Sequence, residues 1–119
     1  EVTEFNGPLV FIPRSHVDGP APTTLDTETT SFPLWTVGPD VVGPLAERNG
    51  LASPKGPAGT VLIFGDTLIH GSPSNMSPWQ RRIFSLIVNP IDNRQRTDRR
   101  PDHLHHRDTT PLGHAGNGH

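Results

Sequence analysis

The chain has 119 residues, of which 31% are hydrophobic, with 12 Gly, 14 Pro and no cysteine. That length limits it to one compact unit, the Gly and Pro content favours short strands joined by turns over long helices, and the missing thiols exclude a disulfide framework or a thiolate metal site. A formal charge of -2, from 10 basic and 12 acidic residues, offers no pull towards nucleic acid or an anionic membrane surface, and no apolar run nears the roughly 20 residues that span a bilayer.

The opening Glu1-Val2-Thr3-Glu4 is not a signal peptide, and an apolar stretch, Leu9-Val10-Phe11-Ile12, soon follows between Gly7-Pro8 and Pro13. The expectation is a piece of a longer, soluble, cytoplasmic protein. From Asp18 to Thr30 the chain is rich in Pro and Thr and poor in apolar residues, which predicts an exposed loop of the kind that serves as a lid. Leu34 to Val37 has the composition of a short strand, and Pro44 to Asn49 that of a short helix capped by Gly50.

Gly56-Pro57-Ala58-Gly59 is a turn signal, followed by the β-branched and aromatic run Thr60-Val61-Leu62-Ile63-Phe64. Thr67 to Ser72 and Arg82 to Val88 are predicted as two further strands, joined by the loop composition of Pro73 to Pro78. Trp35 and Trp79 flank these segments, and core packing is their expected role. Beyond Pro90 the chain is rich in Arg and His, and residues 113–119 are expected to form a disordered tail. Several strands separated by turns point to an all-β barrel or sandwich.

His70 ends one predicted strand and Arg81 begins the next, 81 minus 70 giving 11 positions. If those strands pair, their backbones lie about 5 Å apart and the imidazole and guanidinium can converge on one small dicarboxylate. One end would chelate a metal held by His70, and Arg81 would take the other as a bidentate pair. Ser72, with the same side-chain parity as His70, would add a hydrogen bond. A lone strand histidine is more often structural than a ligand, so these three residues gain weight only from their company.

That company is a set of motifs. Asn6-Gly7-Pro8-Leu9, leading into Pro13-Arg14-Ser15-His16, resembles the stretch of the phytanoyl-CoA dioxygenase family in which Asn-Gly-Pro-Leu precedes Pro-Gly-Ser-His. The segment from Gly56 through Phe64 to His70-Gly71-Ser72, Asn75, Ser77-Pro78 and Arg81 resembles the family's distal iron-ligand and 2-oxoglutarate segment. Arg100-Pro101-Asp102 and His106-Arg107-Asp108 resemble the tail of its ectoine-hydroxylating members in particular.

The resemblance implies the C-terminal part of a double-stranded β-helix, the jelly-roll or cupin-like fold, over residues 1–112. It implies an Fe(II)- and 2-oxoglutarate-dependent hydroxylase that uses O2 on a small, amino-acid-like substrate. His70 would be the distal metal ligand of a two-His, one-carboxylate triad. Arg81 and Ser72 would hold 2-oxoglutarate, and Phe64 and Arg100 would meet the substrate. The proximal His-x-Asp of the family is expected upstream of Glu1.

Two positions depart from the pattern: Arg14 stands where the family has Gly, and Ser85 where ectoine-hydroxylating members have an aromatic substrate contact. His16-Val17-Asp18 has His-x-Asp spacing, but it falls in the Ser-His turn and is expected to be structural. The histidines at 103, 105, 106, 114 and 119 and the arginines at 94, 96 and 99 read as solvated surface, Arg100 being the one member of that run assigned to a site. Another family hydroxylase, or a metal-free jelly-roll binding module, is the alternative. No nucleic acid or membrane partner is expected, and nothing in the sequence excludes a homodimer.

Overall fold

A computed structural model of the chain describes residues 1–29, 34–90, 92–93, 108, 110–111 and 113. It divides into two units, Glu1–Arg82 and Ile83–His119. Among the described residues, the first holds every regular element: β1 (Val10–Phe11), β2 (Thr24–Asp26), β3 (Leu34–Thr36), α1 (Pro39–Asn49) and β4 (His70–Gly71). Two antiparallel two-stranded sheets result, β1 with β4 and β2 with β3. Among the described residues there is no closed barrel, so the expected jelly roll is not completed by these elements. No helix among them is long and apolar enough to cross a membrane.

β1 is the hub. Its Val10 and Phe11 face Gly71 and His70 of β4. On its other edge Phe11 exchanges both backbone hydrogen bonds with Ala52, at 2.8 and 2.9 Å. Phe11 and Ile12 are the buried apolar residues there, which is what a strand flanked on both edges predicts for the centre of Leu9-Val10-Phe11-Ile12.

The turn before β1 is built from Asn6 and Gly7. Asn6, 2% exposed, accepts from the Thr3 N–H at 2.9 Å and donates its amide to the Glu1 carbonyl at 3.1 Å. A buried amide needs both bonds to avoid a desolvation penalty. Gly7 has φ 72°, and a Cβ there would meet the Pro73 carbonyl oxygen at 2.7 Å. Only glycine combines that backbone region with so close a neighbour.

α1 is longer than predicted, because it starts at Pro39 instead of Pro44. Pro39 occupies the first helical turn, where a missing N–H costs nothing, and Asp40 complements the N-terminal dipole. Pro44 is accommodated inside, at the cost of one backbone bond. The end is as expected: Gly50, φ 73°, returns its N–H to the Ala46 carbonyl at 2.8 Å.

Three other expectations are corrected. The Pro- and Thr-rich segment, expected to be a loop, carries β2, which pairs with β3 through Leu25 opposite Trp35. Asp26 ends β2 as a turn cap, accepting from the Glu28 N–H at 2.9 Å and the Thr29 N–H at 3.0 Å. Conversely, residues 60–64 and 82–88 form no strand, and their apolar side chains stand open, Ile63 at 94% and Phe84 at 88% exposure. High β-propensity makes a strand only where a partner backbone completes the ladder. Trp35 and Trp79, expected in a core, are both more than half exposed.

In the second unit, residues 83–90 form no regular element and are exposed, and the Asn93 N–H bonds the Pro90 carbonyl at 3.0 Å. The Thr110 N–H bonds the Asp108 carboxylate at 2.9 Å. Arg100, the histidines at 103, 105, 106, 114 and 119, and the arginines from 94 to 100 lie outside the described residues, as does most of the expected tail.

Candidate functional site

His70 lies in β4, directly opposite Phe11 of β1. Cross-strand partners share a face of the ribbon, so the two rings meet, stacked with centroids 5.9 Å apart and planes 29° from parallel. Phe64 closes the cluster edge-on, 4.9 Å from the His70 ring and 4.8 Å from Phe11. Two aromatic rings thus bound the imidazole and restrict its rotation.

The third restraint is polar. Nδ1 of His70 lies 2.8 Å from the Leu68 carbonyl oxygen. A carbonyl only accepts, so Nδ1 carries the proton, and in the neutral imidazole that leaves the lone pair on Nε2. Metal-binding histidines recur in this state, one ring nitrogen tied to a backbone carbonyl and the other left for the metal. His70 is therefore fit to be a ligand by orientation and by tautomer. Among the described residues no group of three His, Cys, Asp or Glu side chains comes together to hold a metal. His70 supplies one donor, and the carboxylate of the His16-Val17-Asp18 motif is engaged elsewhere, 3.0 Å from Arg48.

Ser72 follows β4 and is exposed. Arg81 is reached through a braced loop. Asn75 donates to the Trp79 carbonyl at 2.7 Å and accepts from the N–H and hydroxyl of Ser77, both at 2.8 Å, while the Met76 N–H holds the Phe5 carbonyl at 3.3 Å. Arg81 does not arrive on a strand paired with β4: it lies in no strand, and the partner of β4 is β1. The arginine pair is nonetheless unequal. Arg82 is exposed and spends its guanidinium on Gln80 at 2.9 Å. Arg81 is half-buried and makes no side-chain hydrogen bond or ion pair with the described residues.

A cavity of about 650 Å³ runs along Val10, Ile12, Ile69 and Gly71 and reaches Trp35 and Val42. Those four residues alternate with Phe11 and His70, and neither Phe11 nor Phe64 lines it. The consecutive residues from Asp66 to Gly71 also line it, so His70 belongs both to the aromatic cluster and to the wall of the cavity.

Sequence reasoning named His70, Ser72, Phe64 and Arg81 as candidates but not Phe11, because its place opposite His70 depends on which strands pair. Its one local signal is its position inside the apolar run before Pro13.

The chain is similar to known proteins over most of its length. Two curated ectoine dioxygenases are similar: that of Sphingopyxis alaskensis is 37% identical over 100 residues, covering 79% of this chain and 33% of that protein. That of Bordetella parapertussis is 34% identical over 112 residues, covering 85% of this chain and 36% of that protein. The L-proline trans-4-hydroxylase of Streptomyces griseoviridis is 34% identical over 122 residues, covering 94% of this chain and 46% of that protein. The chain thus spans about a third of the length of the ectoine dioxygenases it matches. The phytanoyl-CoA dioxygenase family model matches residues 1–83, which include the Asn6-Gly7 turn, β1, the pinned His70 and Arg81. With motif, match and pinned histidine falling in one stretch, the chain belongs to the phytanoyl-CoA dioxygenase family.

Proposed function

We infer that this chain is the C-terminal part of an Fe(II)- and 2-oxoglutarate-dependent hydroxylase acting on a small, amino-acid-like substrate, with ectoine to 5-hydroxyectoine as the specific reading. The observation that carries it is the His70 imidazole, tied at Nδ1 and bounded by Phe11 and Phe64, with Nε2 left as a donor. In this reading residues 1–112 belong to a double-stranded β-helix, and the other two metal ligands come from the part of the relatives that this chain does not match.

Bound iron(II) would supply O2 activation coupled to the oxidative decarboxylation of 2-oxoglutarate to succinate, with one oxygen atom passing to a substrate carbon. His70 holds the metal through Nε2. Arg81, half-buried and uncommitted, binds the distal carboxylate of 2-oxoglutarate as a fork, with Ser72 adding a hydroxyl. Phe64 presents an apolar edge beside His70 that shields the reacting carbon from water, and Arg100 meets the substrate carboxylate.

Ectoine and free proline are both small, carboxylate-bearing heterocycles, and the similarity to a proline hydroxylase matches that to ectoine dioxygenases in identity. Proline hydroxylation is therefore the second reading. Succinate release by the intact protein, with iron(II), 2-oxoglutarate and either ectoine or L-proline, separates the two. Background turnover with both substrates, together with unaltered 2-oxoglutarate binding in Arg81→Ala, would leave the metal-free binding module.

A further inference from the structure

We propose that Ser15 is a positioning residue for His70, acting through the peptide that joins Leu68 to Ile69. The inference rests on His70 being a metal ligand and extends that reading to a residue remote from the metal.

The β1–β4 ladder is interrupted where β1 turns. Ile12 lies opposite Ile69 and donates its N–H to the Ile69 carbonyl at 3.0 Å. An antiparallel pair would return the bond from the Ile69 N–H to the Ile12 carbonyl. That carbonyl is instead taken by the Ser15 N–H at 3.2 Å, as the chain turns through Pro13 to His16. The Ile69 N–H would be left without a partner, a costly state for a backbone donor shielded from water. The Ser15 hydroxyl oxygen accepts it at 2.9 Å, and Ser15 is itself only 5% exposed. One side chain therefore supplies the rung that the turn removes.

The consequence for His70 follows from peptide geometry. The Ile69 N–H and the Leu68 carbonyl belong to the same planar trans unit and point in opposite directions. Ser15 fixes the N–H end, and the carbonyl end is the acceptor for Nδ1 of His70. Rotation of that plane would carry the carbonyl away from the imidazole and release its tautomer and tilt. The two hydrogen bonds share one peptide, so each polarises the other. The chain from Ser15 Oγ through the Leu68–Ile69 peptide to His70 Nδ1 gives the serine of the Pro13-Arg14-Ser15-His16 turn a role that the His-x-Asp spacing of His16 and Asp18 obscures.

The test uses the intact protein and the variants Ser15→Ala and Ser15→Thr. Three readouts are taken: binding of Fe(II) and of Co(II) as its spectroscopic stand-in, the His70 Nδ1–H resonance, and amide exchange at Ile69. Ser15→Ala should weaken metal binding by about 10-fold, the lower end for loss of a group that orients a ligand. It should also speed exchange at Ile69 and broaden or shift the Nδ1–H signal, and Ser15→Thr should restore all three.

A purely structural serine would lower the melting temperature and leave metal affinity and the Nδ1–H signal of the folded protein unchanged, which overturns the proposal. If Ser15→Ala does not fold, Ser15→Cys replaces it with a weaker acceptor of similar size, and unchanged affinity there overturns the proposal equally. Wild-type protein that binds neither metal would overturn the reading of His70 itself, and the role of Ser15 with it.

Discussion

Replacing Gly7 by alanine tests how the turn before β1 is locked to the loop that leads from His70 to Arg81. The backbone at Gly7, φ 72°, lies in the left-handed region, which costs an L-residue about 1–2 kcal/mol. The new Cβ would stand 2.7 Å from the Pro73 carbonyl oxygen and 3.2 Å from the Asn75 nitrogen, both backbone atoms that cannot swing aside. Forcing the two segments apart adds the cost of overpacking, about 1–3 kcal/mol. Gly19 is the internal control, since it has φ 92° but nothing within 4 Å of an added Cβ. Gly19→Ala should therefore show the backbone cost alone, and Gly7→Ala should exceed it by about 1–3 kcal/mol. Urea unfolding of the intact protein and both variants measures the difference through the midpoint at constant slope. Equal destabilisation by the two substitutions would refute the close approach of Gly7 to Pro73.

Three further outcomes are expected. Arg81→Ala should weaken 2-oxoglutarate binding to the metal-loaded protein by roughly 10- to 150-fold, equivalent to about 1.5–3 kcal/mol for charged hydrogen bonds, while Arg82→Ala leaves it close to wild type. Calorimetric titration distinguishes them, and equal effects would remove the distinction drawn from the Gln80 contact. Phe11→Ala should destabilise the fold by about 3–5 kcal/mol, because it empties a buried site and removes the ring stacked on His70, whereas Phe64→Ala should cost less because Phe64 is partly exposed. Chemical denaturation of both variants provides the comparison.

The Asp26 carboxyl is held below its ordinary value of 3.8, chiefly by the Thr29 hydroxyl and then by the backbone N–H groups of Thr29 and Glu28. A depressed folded value means that its contribution to the β2 turn is complete above pH 3.8 and is lost as the pH falls through the lowered value. Amide exchange at Glu28 and Thr29 should stay slow until that range and then accelerate, and Asp26→Asn should remove the acid-dependent step.

Local chemistry was legible in the sequence wherever a residue acts on its own neighbours. Gly50 ends α1 because its positive φ, 73°, which glycine adopts without strain, turns the chain out of the helix. Val10–Phe11 forms β1, and Phe11 and Ile12 are buried, within an apolar run bounded by turn residues. His70, Ser72, Phe64 and Arg81 are singled out as candidates by motif order, which needs no knowledge of contacts.

Pairing was not legible. Residues 60–64 and 82–88 have stronger strand composition than Thr24–Asp26, yet only the latter forms a ladder. The same holds at the site, where Phe11 and Ser15 carry no sign of their distance from His70 and Ile69. Residue order along the chain sets caps, turns and the chemical groups on offer, because those depend on neighbours within a few positions. Which backbone lies beside β4, and therefore what grips the His70 ring, is decided by contacts between segments tens of residues apart, whose free energy no single segment contains.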